Sequence, residues 1–172
     1  MSCTLATGIA LDTCNGNGGY KRLKVTAKSN IATWADASSV ITATATDTSK
    51  IYEIVVPQDM IGAYSTQQDT RDNNVAPVYD HIVTVMTQKN SAANRTFLKL
   101  LGLNEVVAFA LDNNGDWLAF GDINRGLRTV VKGKDHKKPG DAYGQEVELK
   151  GTGLLNPEGK ITTGALLTAL DT

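Results

Sequence analysis

The sequence predicts a mainly β protein with one helix, and three observations support this. Threonine occurs twenty times and glycine sixteen times in 172 residues, a mixture that suits pleated surfaces joined by tight turns. Several short segments alternate apolar and polar residues, as strands with one buried face do. A single segment combines a helical apolar stripe with a capping residue before it and a glycine after it. We therefore expect an all-β core with one helix packed against it.

Strands are predicted wherever this alternation is clear. In residues 40–46, Ile41, Ala43 and Ala45 fall on one face and threonines on the other. The other predicted strands are residues 20–27, 51–56, 78–87, 106–111, 117–120, 126–131 and 145–150. Residues 51–56 are almost continuously apolar, which predicts a strand covered on both faces or lying at a subunit contact.

A hairpin and a helix are the most specific local predictions. Residues 112–116 carry an Asn-Gly step between two apolar runs, which indicates a β-hairpin. Residues 91–102 predict the helix, because Asn90 or Ser91 can cap its start and Gly102 its end. An apolar stripe of this helix should pack on the sheet; it consists of Ala93, Phe97, Leu100 and Leu101.

Three polar or terminal segments leave alternatives open. The segment 62–76 has too few apolar residues to bury a face, which predicts a mobile loop or a hairpin arm that folds onto a partner. The loop 132–144 gathers four lysines, which are either solvated or meet phosphates or carboxylates of a neighbouring subunit. We expect one β-rich domain over residues 1–157, followed by a tail, 158–172, that is docked or mobile.

Composition excludes some function classes. Seventeen basic and eighteen acidic residues give a formal net charge of −1, which argues against a free-standing nucleic-acid binder. The mean hydropathy is −0.18, and no apolar run is long enough for a membrane helix, so we expect no membrane partner. The first six residues lack the basic and apolar pattern of a secretory signal.

No catalytic, metal or cofactor site is predicted. Residues 112–116 resemble a calcium loop only superficially, because Ile123 stands where a bidentate Glu is expected. His81 and His136 have no nucleophile or ligand at a suitable spacing. The glycines of residues 12–19 precede a strand rather than a helix, which argues against a dinucleotide site. Cys3 and Cys14 are compatible with a disulfide or with two reduced thiols.

The order of these segments resembles structural proteins of tailed-phage virions, in particular those of phages infecting Bacteroidetes-type hosts. The resemblance rests on a polar arm, a long strand, the helix 90–101, the hairpin through 112–117 and a Gly-rich step, 140–144, that opens a last strand. The start also combines Cys3 and Cys14 with Gly18 and Gly19. The similarity spans roughly residues 1–157 and is one of order and spacing rather than of a catalytic motif.

The resemblance implies a tail-tube protein, an antiparallel β-sandwich or half-barrel with one flanking helix. Such a subunit would form stacked, hexameric rings in the virion, made in the host bacterial cytoplasm, with other virion proteins as partners and DNA passing through without sequence-specific binding. The alternative is another virion part, such as a head–tail connector, a collar ring or a capsid decoration protein. Residues 51–56 and 78–86 would then supply strands for a sheet that continues around the ring. The suspected interface residues are Tyr64, Thr66, Gln67, Gln68, Arg71, Lys134, Lys137 and Lys138.

Overall fold

The computed structural model describes residues 19–37, 40–55, 61–67, 78–87, 92–133, 145–163 and 165–172. Its elements are β1 (Tyr20–Ala27), β2 (Ile31–Ala37), β3 (Val40–Ala45), β4 (Tyr52–Ile54), β5 (Ile61–Gln67), β6 (Tyr79–Met86), α1 (Ala92–Gly102), β7 (Val106–Asp112), β8 (Trp117–Phe120), β9 (Arg128–Gly133), β10 (Gln145–Leu154), β11 (Gly159–Thr163) and α2 (Ala165–Asp171). The prediction of a mainly β fold with a flanking helix is confirmed.

The strands form two sheets. The larger sheet has seven strands in the order β2-β3-β11-β8-β7-β1-β4, and the smaller has four in the order β5-β6-β10-β9. All pairings are antiparallel except that of β11 with β3. The predicted hairpin joins β7 to β8, and Gly115 adopts a φ of 97° in its turn. Asp112 stabilises this turn because its carboxylate accepts hydrogen bonds from the amides of Asn114 and Asp116.

The main core lies between the two sheets. Alternating residues of the larger sheet, such as Leu23 and Val25, meet Val83 and Val85 of the smaller sheet, and all four are fully buried or nearly so. Helix α1 closes this core with Leu98 and Leu101. The predicted stripe is therefore partly wrong: Leu98 is buried, whereas Leu100 lies 55% exposed.

A second core covers the other face of the seven-stranded sheet. Phe109 and Trp117 are fully buried or nearly so there, against Leu166 and Leu170 of α2. The indole nitrogen of Trp117 donates to the Asp171 carboxylate at 2.9 Å. The sequence left open whether the tail 158–172 is docked or mobile. Its described part is docked, because β11 lies inside the sheet and α2 packs upon it.

Two sequence predictions about edge segments need correction. Residues 51–56 are predicted as a strand covered on both faces or lying at a subunit contact, and the first alternative is wrong, because β4 is a three-residue edge strand in which only Ile54 is buried. Val55, just beyond it, is 85% exposed, because β4 has one neighbour, β1, and no strand on its outer side among the described residues.

The polar segment 62–76 is predicted as an arm or loop, yet its first part belongs to β5. This strand pairs with β6 along its whole length, from Ile61 opposite Val85 to Gln67 opposite Tyr79. Pairing with β6 satisfies the backbone polar groups on that side of the strand, and Ile61 adds apolar burial, so few apolar side chains suffice to hold it. Residues 68–76 lie outside the described residues.

Candidate subunit interface

The four-stranded sheet ends in two strands with one neighbour each. In the part of the chain that the structure describes, β5 pairs only with β6, and β9 pairs only with β10. An edge strand presents unpaired backbone donors and acceptors that can accept another strand. These two edges are therefore the candidate surfaces for association.

The sequence of strand β5 lacks two of the features that discourage strand addition. Its sequence, Ile-Gly-Ala-Tyr-Ser-Thr-Gln, contains neither a charged residue nor a proline. Tyr64 and Thr66 are exposed on the outer face of the sheet, and Gln67 is exposed at the end of the strand. The hydroxyl of Tyr20 donates to the Ala63 carbonyl at 3.1 Å, which ties β5 to β1 of the larger sheet. The strand is thus held in its own subunit while it presents an uncharged edge.

Strand β9 carries cations, but they have partners within the subunit. Lys132 bonds Glu148 of β10, and this ion pair raises the pKa of the Lys132 ammonium. Arg128 lies 3.4 Å from the carboxylate of Glu105. Val130, between them, is 48% exposed. The edge is therefore less strongly charged than its sequence indicates.

The directions of the strands make the two edges compatible. Strands β5, β6, β10 and β9 are all antiparallel to their neighbours, so β5 and β9 run in opposite directions. A copy related by rotation about a ring axis keeps the direction of each strand along that axis. Its β9 would therefore lie antiparallel to β5 of the first copy, and a sheet of four strands can repeat without breaking the alternation.

A polar cluster lies beside β5, at the margin between the sheets. Ser65 is directly opposite His81 in the β5–β6 register, and its hydroxyl donates to the carboxylate of Glu158. His81 is 2% exposed, accepts the Gly121 amide at Nδ1 over 2.9 Å and donates from Nε2 to the Asn156 carbonyl over 3.0 Å. Burial lowers the pKa of this imidazole.

These residues do not form a nucleophilic triad. Both ring nitrogens of His81 are bound to backbone groups, so the ring cannot take a proton from Ser65. The imidazole instead links β6 of one sheet to the segment after β8 of the other, as expected for a core histidine. Among the described residues, no three His, Cys, Asp or Glu side chains are close enough together to hold a metal ion.

The structure brings together only part of the predicted interface set. Tyr64, Thr66 and Gln67 share the β5 edge. The remaining members lie outside the described residues: Gln68, Arg71, Lys134, Lys137 and Lys138. Cys3, Cys14 and His136 do so too. The sequence predicts the strand at 126–131 but not its position at an edge, for which Val130 and Val131, apolar residues on both faces of one strand, are a signal.

Comparison with known proteins gives no assignment. No family model, curated protein or solved structure matches the chain. None of the helices in the described part of the chain has the length and apolarity needed to cross a bilayer. The described elements define a two-sheet β protein with a pair of antiparallel, mutually compatible edges.

Proposed function

We propose that the chain is a structural subunit of a phage tail tube, which assembles into stacked, six-membered rings around a channel for DNA. The observation that supports this most directly is the pair of edges at β5 and β9, each with one described neighbour and with directions that allow head-to-tail addition. A joint of this kind uses two different surfaces and therefore closes into a ring or continues as a helix.

The energetics indicate how strong one joint is. The six residues of β9 limit its pairing with the seven of β5 to about six hydrogen bonds, each worth about 0.5 to 1.5 kcal/mol net. The total of roughly 3 to 9 kcal/mol does not clearly exceed the roughly 4 to 15 kcal/mol lost in translational and rotational freedom. One joint is therefore weak, and stability comes from ring closure and stacking, where each copy makes two or more contacts at once.

The charge balance fits a conduit. A formal net charge of −1 provides no strong attraction for the DNA backbone. DNA could pass through a ring of such subunits without being retained, and this agrees with contacts that are not sequence-specific.

The proposal is tested by imaging the purified chain over a range of concentrations. Negative-stain microscopy should show closed rings or open-ended tubes, and sedimentation should show a cooperative transition with few intermediates. A chain that stays monomeric at the highest soluble concentration would contradict the proposal. Rings that never stack would favour the connector or collar alternative, and monomers that bind only to capsids would favour decoration.

Hydrogen exchange identifies the joint. On assembly, amides of β5 on its outer side should exchange orders of magnitude more slowly, because they gain partners. Amides of β6, which is already paired on both sides, serve as the internal control. Unchanged exchange in both β5 and β9 would mean that assembly uses other surfaces.

A further inference from the structure

An apolar groove lies between the edge strand β4 and helix α1. Two clefts of about 430 and 500 Å³ meet there at the rings of Tyr52 and Phe97, which pack edge to face with centroids 6.0 Å apart. We call the two clefts together the β4–α1 groove. Tyr52 is 50% exposed and Leu100 of α1 is 55% exposed, so apolar side chains of the groove are open in the described part of the chain.

Both walls of the β4–α1 groove are held within the subunit. Tyr52 and Ile54 lie opposite core residues of β1, so their side chains are on the inner side of the sheet, where α1 lies. Helix α1 rests on β9, where the Thr129 hydroxyl donates to the Leu101 carbonyl at 3.3 Å. Strand β4 pairs with β1 and with no other described strand. A strand added beyond β4 would therefore place every second side chain in the groove.

Residues 4–11 of the chain have the alternation that such a strand requires. Leu5, Ile9 and Leu11 fall on one face of an extended segment, together with Thr7. The other face carries only small residues and a threonine: Thr4, Ala6, Gly8 and Ala10. Residues 1–11 contain no charged side chain, whose burial in an apolar groove would be costly.

The other long segments outside the described residues do not have this pattern. Residues 68–77 and 134–144 are rich in charged and polar side chains, and each segment has one large apolar residue, Val75 and Tyr143 respectively. Neither segment could fill two apolar clefts. Residues 1–18 are therefore the part of the chain whose side chains match the groove.

The connection to β1 is long enough to bring residues 4–11 to β4. Strand β1 begins at Tyr20, and a strand on the far side of β4 lies two strand spacings from β1, about 10 Å. Residues 12–18 can span roughly 23 Å when extended. They therefore suffice to pass the end of β4.

We infer that residues 4–11 of this chain lie in the β4–α1 groove as a strand beside β4, with Leu5, Ile9 and Leu11 facing the clefts. Because these residues lead toward the start of β1, they run opposite to β1 and parallel to β4. Burial of three apolar side chains then adds to the backbone hydrogen bonds of the edge. The contact is made within one subunit, so it goes beyond the proposed function and does not depend on assembly.

Reactivity of a thiol introduced at Leu100 tests this inference in the complete chain. The background carries Cys3→Ser and Cys14→Ser, and the reference is Leu155→Cys, because Leu155 is 64% exposed and lines neither cleft. If residues 4–11 cover the groove, the thiol of Leu100→Cys should react with a maleimide at least tenfold more slowly than that of Leu155→Cys. Similar rates at the two positions would overturn the inference, since the two leucines have similar exposures without the added strand.

A pair of charge variants identifies the segment that gives the protection. Ile9→Asp should speed the reaction of the Leu100→Cys thiol at least fivefold, because it places a charge in an apolar groove. Ala10→Asp is the matched control, since it places the same charge one residue away on the opposite face, and it should leave the rate within about twofold. An unchanged rate at Leu155→Cys and an unchanged far-UV spectrum show that the variants fold.

The remaining outcomes separate the other occupants. If Ile9→Asp and Ala10→Asp have equal effects, the face that carries Leu5, Ile9 and Leu11 does not hold the segment, and the inference is wrong. If protection rises with protein concentration and survives Ile9→Asp, a second copy fills the groove instead, which also overturns it. The rates are measured where sedimentation shows monomers, so failure of ring assembly leaves this test intact.

Discussion

Replacement of His81 by Ala should destabilise the folded chain strongly. The imidazole is buried between the sheets and packs edge to face on Phe120 with centroids 5.8 Å apart. Its two nitrogens bond the amide of Gly121 and the carbonyl of Asn156. Truncation leaves both backbone groups without their partner and opens a cavity.

The magnitude follows from these contacts. A buried donor that loses its acceptor costs about 1 to 3 kcal/mol, and this applies to the Gly121 amide. The Asn156 carbonyl is only partly buried, so water can replace its donor at smaller cost. Loss of ring packing adds roughly 1 to 3 kcal/mol, so we expect His81→Ala to lower the free energy of unfolding by about 3 to 5 kcal/mol.

The same residue predicts a pH dependence. Burial lowers the pKa of His81, and the hydrogen bond to the Asn156 carbonyl and the charges of Asp122 and Asp80 only partly oppose this. Protonation would also place a second donor at Nδ1, facing the Gly121 amide. As pH falls, the unfolded chain therefore binds the proton first, near pH 6.5. The stabilisation that the chain gains from neutral His81 is therefore complete above about pH 6.5. It is lost as pH falls toward the pKa of His81 in the folded chain, and the free energy of unfolding falls by at most about 1.4 kcal/mol per pH unit.

Urea unfolding followed by tryptophan fluorescence measures both effects, because Trp117 is buried in the fold. His81→Gln is the comparison for the pH series, since it keeps a donor and an acceptor but cannot be protonated. Both proteins contain His136, so its contribution cancels when the pH dependence of the free energy of unfolding of the variant is subtracted from that of the wild type. A loss below about 1 kcal/mol for His81→Ala, or equal pH slopes for wild type and His81→Gln, would refute this account of His81.

Two further predictions concern packing and backbone. Leu98→Ala should lower the free energy of unfolding by about 2 to 5 kcal/mol, because Leu98 is 5% exposed. Phe97→Ala should lower it by only about 1 to 2 kcal/mol, because Phe97 is only partly buried. Urea titrations that give the reverse order would contradict the orientation of α1. Gly121→Ala should lower stability more than Gly115→Ala, since both have positive φ but only at Gly121 would a Cβ meet a neighbour, the Leu127 Cγ at 3.3 Å. Thermal melts should show Gly121→Ala to be less stable than Gly115→Ala by about 1 to 3 kcal/mol. Equal melting temperatures of the two variants would count against the contact with Leu127.

Local alternation was sufficient to predict the strands whose two faces differ. Strand β3 buries Ile41 and Ala43 as predicted, and β10 buries Val147 and Leu149 while Lys150 is exposed. The hairpin between β7 and β8 was equally clear, because its turn is specified by residues within the turn itself.

Pairing between distant segments could not be predicted in the same way. Strand β5 is polar, and only its register with β6 shows that it is a strand. Strand β4 has an apolar sequence but lies at an edge, since its position depends on what pairs with β1. The candidate interface depends on these edges, so the sequence could indicate Tyr64 and Thr66 as exposed residues but not their relation to β9.

The position of β11 has a consequence for synthesis of the chain. This strand lies between the β2–β3 ribbon and β8, and among the described strands it is the one that pairs with both. During translation the ribbon emerges early, whereas the strand that attaches it emerges after all the other strands. The larger sheet therefore cannot close until β11 has left the ribosome, and before that the ribbon has no strand beside β3 on its inner edge. A nascent chain stalled before Gly159 should expose these edges to chaperones, and a chain whose β11 has left the ribosome should not.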